Sequence, residues 1–186
     1  MQNLSRFRTT WARTRGFAAA PVLGLKAMVA DGAQEVFRVL TACRALEFAM
    51  AGLYEALATL HENDPAIARL WKKTAREEMN HAAQFTLMLE TMADTISAAI
   101  VDASTLTNLR QAIETTREEF QVRPPSPREA LVAAIDFEES MNVLHADQVL
   151  IFTNPQCKRL FQAMMAADNS HLGALRAALT KLPPTR

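Results

Sequence analysis

Two groups of three residues have the types and the spacing to hold metal. Glu47 precedes Glu78-x-x-His81, and Glu138 precedes Asp168-x-x-His171. Within each x-x motif, positions i and i+3 share a helix face, so a carboxylate oxygen and an imidazole nitrogen can reach one ion. The groups repeat in register: Glu138 follows Glu47 by 91 residues, and His171 follows His81 by 90. Their surroundings repeat as well. Leu46, Met50 and Leu53 lie over Phe137, Met141 and Leu144, and Leu70-Trp71 lies over Leu160-Phe161.

A lone Glu-x-x-His is common in helices, and Glu78, after Arg76 and Glu77, could by itself lie on a solvated face. The repeat gives the set its meaning. Mixed carboxylate and imidazole donors suit iron or manganese, with zinc acceptable on raw affinity. Four carboxylates and two imidazoles suffice for two ions, each with one terminal histidine. The paired carboxylates can bridge the ions and leave positions open for oxygen or peroxide.

Other residues stand close to this set. Tyr54 lies two helical turns after Glu47, and His145 takes the matching place after Glu138. Each can hydrogen-bond a ligand carboxylate, or be a buried polar group satisfied by its neighbours. Glu77 competes with Glu78, and Glu139 with Glu138. The i, i+3 step to His81 favours Glu78, and the repeat favours Glu138. Cys43 reads as a small core residue. Met50, Met79, Met88, Met141, Met164 and Met165 read as core filler, and His61, near a turn, as incidental.

The elements that must position these residues are helices. The chain has 186 residues, 49% of them hydrophobic and only 6% aromatic, with few β-branched clusters and many Ala, Leu and Met. That composition predicts an all-α fold in one domain. Asp64-Pro65, Ser126-Pro127 and Asn154-Pro155 each pair an N-cap residue with proline at the first helical position. Glu129, three residues after Ser126, completes a capping box. These signals place helix A near 32–62, B near 65–95, C near 127–152 and D near 155–181, stopped by Pro183-Pro184. Leu106, Leu109, Ile113 and Phe120 predict a short extra helix near 104–120. A–B and C–D are then antiparallel hairpins with short turns, and the long B–C connection crosses the bundle, which is ferritin-like connectivity. Glu47 and Glu78 lie about 15 residues from a turn at 63, and Glu138 and Asp168 about 15 from a turn at 153. At 1.5 Å per residue all four sit roughly 23 Å from their turns, in one layer.

Formal net charge is zero, so nothing overall points to nucleic acid. Cys43 and Cys157 are the only cysteines. They form no Cys-x-x-Cys pair and no disulfide framework, which fits a reducing cytoplasm. No apolar run is long enough to span a bilayer. Residues 1–31 differ in character: Arg6, Arg8, Arg13, Arg15 and Lys26 stand there with no acid before residue 31. We read this segment as a basic arm or short helix, and 32–182 as the bundle.

Leu46-Glu47 through Tyr54, Glu77-Glu78-Met79-Asn80-His81-Ala82, Ala134-Ile135-Asp136-Phe137-Glu138 and Ala167-Asp168-Asn169-Ser170-His171-Leu172 resemble the rubrerythrin-like branch of the ferritin superfamily. The resemblance covers about 32–182. It implies a four-helix bundle with a non-haem di-iron centre, two iron ions for which manganese or zinc can substitute, and a homodimeric assembly. It also implies reduction of hydrogen peroxide, or oxidation of ferrous iron by O2 or peroxide. On that resemblance Glu47, Glu78, His81, Glu138, Asp168 and His171 are the ligands, with Tyr54 and His145 behind them. The cysteine-rich rubredoxin module of full-length rubrerythrins has no counterpart here, so electrons are expected from a separate, rubredoxin-like or other donor. Asp168 stands where the family usually has glutamate, and His145 where an aromatic residue is common. The alternatives are a ferritin-like iron-storage protein without turnover, and a metal-free helical interaction module.

Overall fold

The computed structural model describes residues 32–91, 95–101, 103–144 and 150–183, with backbone alone at 143–144 and 164–169. The basic segment 1–31, His145 and the side chains of Asp168, Met164 and Met165 lie outside the described residues. Five helices are described: α1 (Gly32–Leu60), α2 (Pro65–Thr91), α3 (Ala103–Val122), α4 (Pro127–Leu144) and α5 (Pro155–Lys181). They form the expected all-α, ferritin-like arrangement. Two short strands, β1 (Ile96–Ala99) and β2 (Leu150–Phe152), accompany them.

The helices begin where the capping signals stand. Asp64 Oδ1 accepts the backbone N–H groups of Ala66 and Ile67 at 3.0 and 3.1 Å. The Asn154 side chain accepts from Gln156 N at 2.8 Å. The capping box closes in both directions: Glu129 N donates to Ser126 Oγ, and Ser126 N donates to Glu129 Oε2 at 2.9 Å. Each cap satisfies amide groups that the first helical turn leaves without a partner.

The α1–α2 turn, the start of α4 and the end of α5 share one end of the bundle. There the His61 ring nitrogens face the carbonyl oxygens of Leu57 (2.9 Å) and Pro125 (3.2 Å). Arg128 donates to the carbonyls of Leu182 and Pro183 at 3.0 and 2.9 Å. His61, only 7% exposed, is therefore a tie between helix ends and not incidental. The crossover helix α3 runs back along α1, with the Arg117 guanidinium over Gly52, where a Cβ would meet Nη1 at 2.8 Å.

The second hairpin departs from the sequence reading. Helix C is described as far as Leu144, and residues 150–152, read from the sequence as its last turn, form a strand. Leu150–Phe152 instead pairs antiparallel with Ile96–Ala99, the segment that follows α2, with an irregularity between Ile96 and Ala98. Thr153 N and Oγ1 both donate to Thr95 O at 2.8 Å. The pairing satisfies backbone groups of both strands at the far end of the bundle.

The core lies along the bundle axis. Trp71, Tyr54, Phe85, Phe137 and Phe161 are its largest fully buried side chains, each contributing about 1.5–3 kcal/mol or more through apolar burial. Trp71 and Phe161, matched across the repeat, are both buried, and Phe161 meets Phe85 edge-on at 6.4 Å. Cys43, Met50, Met88 and Met141 are buried as expected, whereas Met79 is 44% exposed and is not core filler.

Candidate metal centre

The layer of acidic residues follows from where the helices end. Glu47 stands 13 residues before Leu60, Glu78 13 after Pro65, Glu138 11 after Pro127, and Asp168 13 before Lys181. All four Cα positions therefore lie roughly 17–20 Å from the same end of the bundle. Glu47, Glu78, His81, Glu138 and His171 are between 1% and 4% exposed. They come from four different helices.

Glu78 is the hub. Its Oε2 lies 3.2 Å from His81 Nδ1, and its Oε1 lies 3.1 Å from His171 Nδ1. The two imidazoles face each other, ring centroids 5.4 Å apart and planes 22° from parallel. Glu47 Oε2 stands 3.8 Å from His81 Nδ1. On the other side, Tyr54 Oη donates to Glu138 Oε1 at 2.5 Å. The structure thus brings five of the six sequence-derived residues and Tyr54 into one buried region. It describes only the backbone of Asp168, in α5, and does not describe His145.

Of the two competing pairs, one member of each points inward. Glu138 is buried against Tyr54, while Glu139 accepts from Arg176 at 2.8 Å on the surface. Glu78 is buried, while Glu77 lies at the edge, bound to Lys73 at 3.0 Å. Glu77 still reaches the site: its Oε2 is 3.1 Å from His171 Nε2. The sequence reading weighed Glu77 only as a rival to Glu78. Its place immediately before a ligand-type glutamate is the signal that could have found this contact.

Burial pushes the Glu78 carboxyl up, but the hydrogen bonds from His171 and His81 outweigh it and hold the group well below the usual carboxylate range. Tyr54 moves the other way. Burial first, then the nearby charges of Glu138 and Glu78, raises its phenol well above the ordinary value. Glu78 therefore stays a charged acceptor, and Tyr54 stays a neutral donor.

This donor set fits a cation. Gathering three buried carboxylates is strongly unfavourable unless positive charge or hydrogen bonds offset it. One ligand atom each from Glu78, His81 and His171 lie within 4.8 Å of one another. Donors around one ion with bonds of about 2 Å lie about 3 to 4 Å apart, so the side chains would close in by about 1 Å to hold one.

No helix of the described residues is long and apolar enough to cross a membrane. Among known protein families the chain matches the one described as Rubrerythrin, over residues 38–179. Comparison with curated proteins and with solved structures gives no significant match to either. The matched interval reaches into all four bundle helices and includes every residue of the acidic layer, and the chain belongs to the rubrerythrin family.

Proposed function

We propose that the chain is a di-iron oxidoreductase that reduces hydrogen peroxide. The observation that carries this reading is the convergence of Glu78, His81 and His171 donor atoms in the bundle core, with Glu47 and Glu138 at the same height. Glu47, Glu78, His81, Glu138, Asp168 and His171 would hold the metals, and the two oxygens of Glu78 face different histidines. When bound, ferrous iron supplies the electrons that reduce the O–O bond.

The chain's own residues do the rest. Glu77 accepts from His171 Nε2 and so turns Nδ1 toward the site. Tyr54 donates to Glu138 Oε1, fixing that carboxylate. Buried aromatic and aliphatic side chains keep bulk water out of the layer. Electrons return from a donor outside the matched segment, and the protein works as a cytoplasmic homodimer.

Stopped-flow absorbance of the ferrous-loaded protein mixed with peroxide tests this function. Rapid ferric formation is expected in the wild type and not in a Glu78→Ala, His81→Ala double variant. Equal rates in the two proteins would sink the proposal.

A further inference from the structure

The outward face of α2 carries positive charge that the described residues leave largely unpaired. Arg69, Lys72, Lys73 and Arg76 stand at i, i+3, i+4 and i+7, so they share one side of the helix. All four are exposed. Among the described residues only Lys73 has a carboxylate partner, Glu77 at 3.0 Å. Arginines elsewhere stand beside glutamates: Arg38 by Glu35, Arg110 by Glu114, Arg123 by Glu129 and Arg176 by Glu139. Formal net charge is zero over the whole chain, so this stretch is a local excess and not a general basicity.

The same side continues without charge as far as Leu87. Met79, Ala83 and Leu87 follow on it, with Met79 and Leu87 44% and 45% exposed. From Arg69 to Leu87 is 87 − 69 = 18 residues, about 27 Å at 1.5 Å per residue. That length exceeds what a small anion can cover, and it suits the limited contact of a transient redox complex. A basic end joined to an apolar end selects a protein that presents acidic side chains beside an apolar contact, because complementary charge steers the encounter and sets its register.

This face also borders the metal layer. Glu77, half-buried at its edge, bonds Lys73 on the outside and faces His171 Nε2 at 3.1 Å on the inside. The other nitrogen of that imidazole faces Glu78. One carboxylate side chain therefore stands between the α2 surface and a ligand-type histidine.

We propose that the α2 face is the docking site of a small acidic protein that returns electrons to the centre. This rests on the peroxide-reducing function proposed above and gives the chemistry of the partner it needs. Reducing one peroxide to two waters takes two protons from solvent and two electrons, one from each of two ferrous ions, which become ferric. Two donor molecules then dock in succession. Each loses one electron, and the two ferric ions return to ferrous.

Stopped-flow reduction of the iron-loaded, peroxide-oxidised protein tests this. Reduced rubredoxin is the acidic one-electron probe, and a neutral quinol is the reductant that needs no docking. The rate constant with rubredoxin should fall at least about tenfold when salt is raised to about 0.5 M, and by a similar factor in an Arg69→Glu, Lys72→Glu variant. Reduction by the quinol should stay within about twofold in both cases, as should the rubredoxin rate of a Lys158→Glu, Arg159→Glu variant, which makes the same charge change on α5. The salt series uses the unaltered protein, so a rate indifferent to salt would overturn the inference even if a variant folds poorly. An equal fall in the α5 variant, or a loss shared equally with the quinol, would overturn the assignment to α2. An unchanged rubredoxin rate in the α2 variant would overturn it too, and a dimer split by that variant on light scattering would give the face to a second copy. Oxidised protein that accepts electrons from the quinol but not from rubredoxin would overturn the inference and leave the peroxide reading standing. Absence of ferric formation with peroxide would overturn both.

Discussion

Glu77 and Glu78 are neighbours in sequence, yet they meet opposite nitrogens of one imidazole. Glu78 Oε1 faces His171 Nδ1, and Glu77 Oε2 faces Nε2. Outer carboxylates of this kind fix the tautomer and orientation of a histidine ligand, and losing one typically lowers metal affinity 10–100-fold. The repeat partner of Glu77 is Ala167, and the contact shown for Glu77 in the site is with His171 alone. Glu77→Ala should therefore weaken one of two ferrous binding steps about 10–100-fold and spare the other. Anaerobic titration would read this as a split isotherm, and two equally affected steps would count against it. Tyr54→Phe tests another contact. It removes the donor to a buried carboxylate, so urea unfolding of the metal-free variant should show a loss of about 1–3 kcal/mol. A change within about 0.5 kcal/mol would mean that the 2.5 Å hydrogen bond adds little. At this scale the sequence was legible for Glu78 and Glu138, because spacing decides them. It was not legible for Glu77, Trp71 or His61, whose partners come from distant helices or the far side of a turn.

The helix starts were the most readable elements, because N-caps and Pro at N1 act locally. The capping box of α4 gives a direct test. Ser126→Ala or Glu129→Ala should destabilise the protein by about 1 kcal/mol at neutral pH. The Glu129 carboxyl is lowered by the Ser126 backbone N–H first, with smaller help from the Ser126 hydroxyl and Arg123. A lowered carboxyl adds stability above its ordinary titration range and loses it as pH falls through its folded value. The gap between wild type and Glu129→Ala should hold at neutral pH and close as pH drops below about 4. A gap that widened in acid would contradict the assigned cap. The end of helix C was misread for a physical reason. Asp147-Gln148-Val149-Leu150-Ile151-Phe152 carries no glycine or proline stop, so the helix was read on to about 152. β1 and β2 have four and three residues, too short for alternation to distinguish a strand from a helix end. What selects the strand is its partner, some 50 residues away in sequence.

For the molecule as a whole, the acidic layer is both the reason to bind metal and a strain on the metal-free fold. Glu47, Glu78, Glu138 and His171 come from α1, α2, α4 and α5 and meet in the core. A cation there would tie these helices together and offset their buried charge. Ferrous or manganous ion at about 100 times its dissociation constant should add about 2.7 kcal/mol, and raise the melting temperature by roughly 5–10 °C for a chain of this size. Glu78→Ala should lose most of that increment, and an equal rise in both proteins would place the metal elsewhere. The whole-molecule reading succeeded because the 91-residue repeat carries helix order and layer height together. It placed the four acidic positions at one height although one hairpin connection was wrong. The repeat could not show which end of the bundle each turn occupies, because turns at opposite ends of a symmetric bundle give the same count.

The central claim is that these helices hold a dinuclear iron site, and metal content tests it most directly. Wild type and Glu138→Ala are loaded with ferrous iron without oxygen, desalted, and measured for iron per chain. The account predicts about two irons per chain in the wild type and about one or fewer in the variant. No retained iron in the wild type, or the same content in both proteins, would contradict it.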